Sequence, residues 1–386
     1  MTGEFEEKSS TTTTAAALLA GPRGRRMLLD YVMDAEQIRR PEPHDDSFRS
    51  AIVRASHHLD PERDSSVTYS RVAYESGAGE PPEPLRAVVT ADDVAHRLSQ
   101  VLLPEVTEVA LRSALSAATD SARYWQDPDG EDVLAATEPV RRELRRIAEH
   151  IARSPHAQWW TTALAETEQW VIVSRGDDSP DTFEPAAAEL LSPWYERNLA
   201  AEARGADRPT DPTANVSGRW WSNPSVRCST RTLFDGTPAE LWFVEDSMGW
   251  ERIVTRAVGT PAGARIYEID GAPAWAELCR RFPLEVTAEK RHDWYRTTGR
   301  SSGRWVIPNW QLVAKDYAGV HLTVMGYLAA AGTAIDVDDE TASVIAGWAP
   351  DATCWLADPD RIGDESRTWV FDASGEDPEW VEETQL

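Results

Sequence analysis

Fourteen of the 17 tryptophans lie after residue 169 and none precedes Trp125, so the large rigid rings of this 386-residue chain are concentrated in its second half. An indole joins a broad apolar plate to one N–H that needs an acceptor, so such a concentration builds either a core or a surface that stacks on ligands. Core and subdomain seams are the commoner use. The distribution also predicts the fold class: α+β, with a helical amino-terminal and middle section and a Trp-rich, mainly antiparallel β-containing carboxy-terminal domain.

Charge narrows the partners. The chain carries 39 Lys plus Arg against 65 Asp plus Glu, a net charge of −26. Long-range repulsion then opposes generic nucleic-acid binding and adsorption to anionic membranes. Cys228, Cys279 and Cys354 are odd in number and hold no CxxC pair, which argues against a disulfide framework or a cysteine-rich zinc site. With an acidic start and no long apolar run, the expected location is the cytoplasm, away from membranes.

Residues 1–13 are rich in Ser and Thr and read as a disordered tail. Residues 14–204 read as mainly helical, with a loop-rich segment at 40–84. Within it, Met27, Leu28, Tyr31 and Val32 share a helical face, with Arg23, Arg25 and Arg26 at a solvated helix end. Thr90 with Asp93 makes a capping box, and Thr137, Glu138 and Pro139 open a helix whose arginines 141, 142, 145 and 146 form a salt-bridged solvent face. The Pro- and Gly-containing stretch 205–218 reads as a linker. After it the apolar period shifts toward two, defining a Trp-rich α+β domain at 219–371, followed by an acidic tail at 372–386 with Trp380 as its anchor.

Familiar catalytic patterns fail on context. Gly299 to Gly303 has the letters of a GxSxG elbow, but a polar segment precedes it and a strand pattern at Trp305 follows, so a loop is expected. Asp127, Asp129, Glu131 and Asp132 resemble a calcium loop, yet position six is Asp132 instead of glycine, and the stretch reads as a turn. HExxH, P-loop and GxGxxG patterns do not occur, and no metal ligand set or cofactor is assigned.

The remaining constellation lies in the aromatic domain. Arg265 and Tyr267 share one candidate strand, His292 and Asp293 a polar segment, and His321 and Thr323 a strand over 320–327 whose Val320, Leu322 and Val324 face the core. If the second face lines a cleft, Arg265, Tyr267 and Thr323 bind an anionic ligand and His321 transfers a proton. The first functional reading is therefore a small-ligand-binding protein or enzyme with a Trp- and Arg-rimmed cleft for a nucleotide-like anion. ADP-ribosyl transfer from NAD is one such reaction, with Glu268 and Asp351 as candidate acids, although neither sits in a Glu-x-Glu loop. The alternative is a noncatalytic interaction or adaptor protein binding a protein partner, which accounts for the missing motifs with fewer assumptions. Whether the chain is an enzyme is left open by the sequence.

Overall fold

The computed structural model describes residues 2–39, 47–61, 88–165, 169–176, 186–358, 361–375 and 378–385. The α+β class holds, with helices early and strands late in the chain. The chain forms two compact units: residues 1–118 with 126–158, and residues 119–125 with 159–386. The division therefore falls near residue 158 and not in the expected linker.

The first unit is helical among its described residues. Helix α1 (Thr2–Ala20) includes the segment expected to be disordered. Ala15 and Leu18 are buried near its end, and a helix anchored there propagates outward at the cost of fixing one residue per added bond. Helix α2 (Pro22–Arg39) follows after Gly21. At Gly24 a Cβ would lie 2.1 Å from the Leu18 carbonyl, so only glycine permits this approach. Part of the loop-rich 40–84 segment forms α3 (Phe48–Leu59), while the apolar patch at 67–74 lies outside the described residues.

Helix α4 (Ala91–Gln100) starts at the expected Thr90–Asp93 capping box. Helices α5 (Glu108–Asp120), α6 (Gly130–Ala136) and α7 (Glu138–Ala152) complete the set. Val140, Leu144, Ile147 and Ile151 of α7 are buried as their spacing requires. Arg141, Arg142 and Arg145 are exposed, but Arg146 donates to the Leu98 and Val101 carbonyls at the end of α4.

Arg23 and Arg26 depart most from expectation. They are buried, and they pair with the acidic turn that resembled a calcium loop. Arg23 meets Asp132 and the Ala118 carbonyl, while Arg26 meets Asp30, Asp129 and Glu131. Burial drives Asp30 up to about 7, even though Arg26 pulls the other way.

In the second unit, an eight-stranded sheet runs β12-β11-β3-β1-β2-β10-β7-β4. Its members are β1 (Gln169–Arg175), β2 (Cys228–Arg231), β3 (Arg252–Gly259), β4 (Ile266–Ile269), β7 (Gly319–Leu322), β10 (Thr353–Trp355), β11 (Arg361–Asp372) and β12 (Glu379–Glu382). Every neighbouring pair is antiparallel except β4 with β7. A smaller sheet, β5-β6-β9-β8, joins β5 (Pro283–Glu285), β6 (Arg304–Pro308), β8 (Ile335–Asp336) and β9 (Thr341–Ser343). Strand β1 arises inside the stretch expected to be helical, since pairing with both β2 and β3 outweighs its local context.

The stretch 205–218 is no free linker. It follows α8 (Ala187–Gly205) and lies along α10 (Thr287–Thr298), the helix after α9 (Ala272–Arg281). Arg208 donates to the Glu289 carbonyl, His292 Nε2 to the Pro209 carbonyl, and Ser217 and Gly218 both donate to Asp293. Lys290 donates to the Arg219 and Trp221 carbonyls, and burial draws its ammonium down to about 8. The polar His292–Asp293 segment is thus the buried side of a helix that ties this strap down.

The indoles serve the core. Trp275, Trp310 and Trp348 meet with ring centroids 5.8–6.2 Å apart and are fully buried. At the carboxy terminus Trp380 packs on Phe371 and donates to the Leu241 carbonyl, and β12 pairs with β11. Cys228 and Cys354, paired in register on β2 and β10, form a disulfide. Their separation in sequence hid a contact that the sheet makes directly. Among the described residues no helix is long and apolar enough to cross a membrane.

Candidate functional site

The parallel pairing of β4 with β7 sets Glu268 beside His321, and paired residues of neighbouring strands point to the same face. His321 Nδ1 lies 2.5 Å from Glu268 Oε2, and Nε2 lies 3.4 Å from Asp351 Oδ1. Asp351 precedes β10, and its backbone turns through φ 65°. Aspartate tolerates that left-handed conformation better than most residues, and here the turn aims its carboxylate at the ring.

Arg231, at the end of β2, closes the row. Its Nε lies 2.7 Å from Asp351 Oδ1, and its backbone N–H reaches Oδ2 at 3.2 Å. The guanidinium also lies over the Trp159 ring at 4.7 Å and reaches the Thr162 hydroxyl at 3.3 Å. The other oxygen of Glu268 accepts the Leu164 N–H at 3.2 Å. The order is therefore Glu268, His321, Asp351, Arg231, with two negative and two positive members.

Burial grades along the row. The His321 side chain is 0% exposed and Asp351 2%, whereas Arg231 retains 14% and Glu268 32%. Water therefore reaches the row through Glu268. Burial alone would discharge His321, but hydrogen bonds to Asp351 and Glu268, with their charges, raise its pKa above the usual histidine value. Burial likewise opposes the Asp351 carboxylate, yet its bonds to His321 and Arg231 leave it below the ordinary range. Both ring nitrogens face carboxylate oxygens, an arrangement that favours the protonated ring. Opposite His321, the buried Thr353 hydroxyl has no hydrogen-bond partner among the described residues.

Of the residues expected to share one site, His321 stands in this row, but the others stand elsewhere. Arg265 and Tyr267 have the opposite parity on β4 from Glu268 and gather around Tyr317 instead. Tyr267 donates to the Ala274 carbonyl. Thr323 is no strand residue at all: it caps α11 (Val324–Ala330), accepting from the Gly326 N–H. The expected strand over 320–327 stops at Leu322 because this cap begins a helix, and Gly326 comes so close to the Ile269 carbonyl that a Cβ would lie 2.5 Å from it. Strand β7 is buried along its whole length, so it has no polar outer face.

Sequence reasoning missed Arg231, Trp159 and Thr162 and left Glu268 and Asp351 as isolated acids. The disulfide partner positions offered a signal. Antiparallel register that pairs Cys228 with Cys354 also sets Arg231 opposite Asp351. The Gly299–Gly303 segment is a loop leading into β6, as its context required. Among the described residues, no group of three or more His, Cys, Asp or Glu side chains is arranged to hold a metal ion. No protein-family profile matches the chain, and no curated protein or solved structure matches it either.

Proposed function

We propose that the second unit binds a small polar ligand at Glu268 and performs acid–base chemistry on it, with His321, Asp351 and Arg231 holding Glu268 in charge and orientation. One observation carries this reading: the fully buried His321 ring lies between two carboxylates, and only one of them, Glu268, reaches water substantially. A carboxylate backed by a fixed cation is oriented before any ligand arrives, which removes reorganisation from the reacting step. Glu268 can then take up a proton, or stabilise positive charge developing on a sugar carbon in a nucleotide-transfer reaction. His321 is a positioning residue, since Glu268 separates it from solvent. Net charge of −26 keeps generic duplex nucleic acid outside this proposal.

The test is a thermal-shift screen of the full chain against nucleotides, NAD and common metabolites, repeated with Glu268→Gln. A ligand at a hundredfold excess over its dissociation constant stabilises the folded form by roughly 2.7 kcal/mol. The expected result is a hit that weakens in Glu268→Gln without collapse of the ligand-free melt. A hit indifferent to Glu268→Gln would remove this site from the reading. The noncatalytic alternative is favoured by a specific observation, the Leu164 amide on the second oxygen of Glu268, which makes the carboxylate a structural clasp. A screen with no hit, together with a destabilised Glu268→Gln, would select it. The cytoplasmic placement is likewise a proposal, and the Cys228–Cys354 bond favours an oxidising compartment. Thiol counting on protein trapped by alkylation in its native host decides between them.

A further inference from the structure

The side chains of opposite parity on β4 form a separate cluster. Arg265 lies over the Tyr317 ring at 5.1 Å, and Tyr267 meets the same ring edge-on at 5.2 Å. Arg281 approaches that ring at 5.6 Å, donates to its hydroxyl at 2.8 Å, and lies over Phe282 at 4.9 Å. Phe282, Arg281, Tyr317 and Arg265 thus alternate ring with guanidinium, and the sequence of contacts ends on Arg265.

The two cations of this stack differ. Arg281 is matched by Asp316 at 3.1 Å. Arg265 is exposed, and among the described residues its guanidinium meets no carboxylate or other hydrogen-bond acceptor. Arg231, Arg252 and Arg296, by contrast, each meet a carboxylate. The backbone beneath it is fixed, since the Arg265 carbonyl accepts the Ala318 N–H at 2.9 Å. Stacking orients the guanidinium plane and leaves the N–H donors along its edge unspent, the arrangement that matches a phosphate or carboxylate in bidentate fashion.

We propose that Arg265, supported by Tyr317 and Arg281, is an oxyanion-binding site for a phosphate monoester carried on a planar ring, separate from the Glu268 row. The phosphate takes the free edge of Arg265, while the ring extends the alternation of ring and cation by one more member. The site does not depend on acid–base chemistry at Glu268.

Phosphorus NMR titration of the full chain with phenyl phosphate, with inorganic phosphate as the second arm, tests it at low salt. Saturable binding is expected, tighter for phenyl phosphate than for phosphate. Arg265→Ala should weaken phenyl phosphate by roughly tenfold or more, the loss of one charge-assisted contact. Arg265→Lys should recover little of it, because an ammonium neither stacks nor bonds in a fork. Glu268→Gln should leave this binding unchanged, so failure here and failure of the acid–base reading are distinguishable. Absence of saturable binding, equal affinity for the two ligands, or Arg265→Ala binding as well as the parent chain would each overturn the proposal. Because Arg265 is exposed, its replacement leaves the fold intact, and the ligand-free melt verifies that.

Discussion

Both units bury a charged cluster, and the two solve the problem of burial differently. In the first, Asp30, Asp129, Glu131 and Asp132 gather around Arg23 and Arg26, so carboxylates exceed cations. One acid must then hold its proton near neutrality, and the most buried, Asp30, is pushed up to about 7. In the second, Glu268 and Asp351 face His321 and Arg231 in equal number, and Asp351 stays below the ordinary carboxylate range. Burial keeps the proton on Asp30 against the pull of Arg26, whereas the bonds from His321 and Arg231 overcome burial and keep Asp351 a carboxylate. Both clusters reach water, through Glu268 at 32% exposure in one and Asp129 at 30% in the other, so the buried His321 ring between two carboxylates is what makes the balanced row the candidate for chemistry.

The largest expected effect breaks the crowded cluster. Arg26→Leu strands several buried carboxylates and should cost about 3–5 kcal/mol, read by urea denaturation. A loss below about 1 kcal/mol would show that the acids are solvated in practice. Arg231→Met should cost less, about 2 kcal/mol, because His321 still faces Asp351 and Arg231 is partly hydrated. An equal loss at both positions would erase the distinction between crowded and balanced clusters.

The pH dependence sharpens the comparison. His321 has a folded pKa above its unfolded value, so its contribution is complete below about 6.5 and is lost as pH rises through the folded value. The difference in stability between the parent chain and His321→Gln should therefore shrink with rising pH across that window. A constant difference would mean that His321 is not held as an imidazolium. Asp30 is raised, so the folded chain loses stability as pH rises from about 4 toward about 7. Asp30→Asn mimics the protonated acid: it should be close to neutral below about pH 4, gain on the parent chain as pH rises toward about 7, and hold that advantage above it. Destabilisation at alkaline pH would show that ionised Asp30 is needed by Arg26.

Much of the helical half was legible because helix signals are local. Thr90 and Asp93 cap α4, and Val140, Leu144, Ile147 and Ile151 lie inward on α7, each following from spacing alone. The shift toward a period of two after residue 218 was legible as well, and Cys228–Arg231 and Arg252–Gly259 are strands there. Where a local cue competed with a long-range contact, the contact won. Residues 205–218 have a linker's composition, yet Asp293 and His292 of α10 bind the Gly218 and Pro209 backbone, and the Arg208 side chain donates to the Glu289 carbonyl. Arg23 and Arg26 have the look of a solvated helix end, but Asp132 and Asp129, which they meet, stand more than a hundred positions away.

The candidate site divides the same way. Residue types identified His321, Glu268 and Asp351 singly, because a buried histidine and nearby acids are chemically conspicuous wherever they occur. Composition and periodicity also determined the α+β class and the use of tryptophan as core, since burial of apolar faces is a property that each segment carries with it. Which acid meets which base was decided only by strand register. The parallel alignment of β4 with β7 put Glu268 on His321, the positive-φ turn brought in Asp351, and alternation on β4 sent Arg265 and Tyr267 to a different cluster. A shift of one residue in that register would exchange the two faces, and nothing within a single strand's sequence fixes it, because hydrogen bonds between strands are indifferent to the side chains they align.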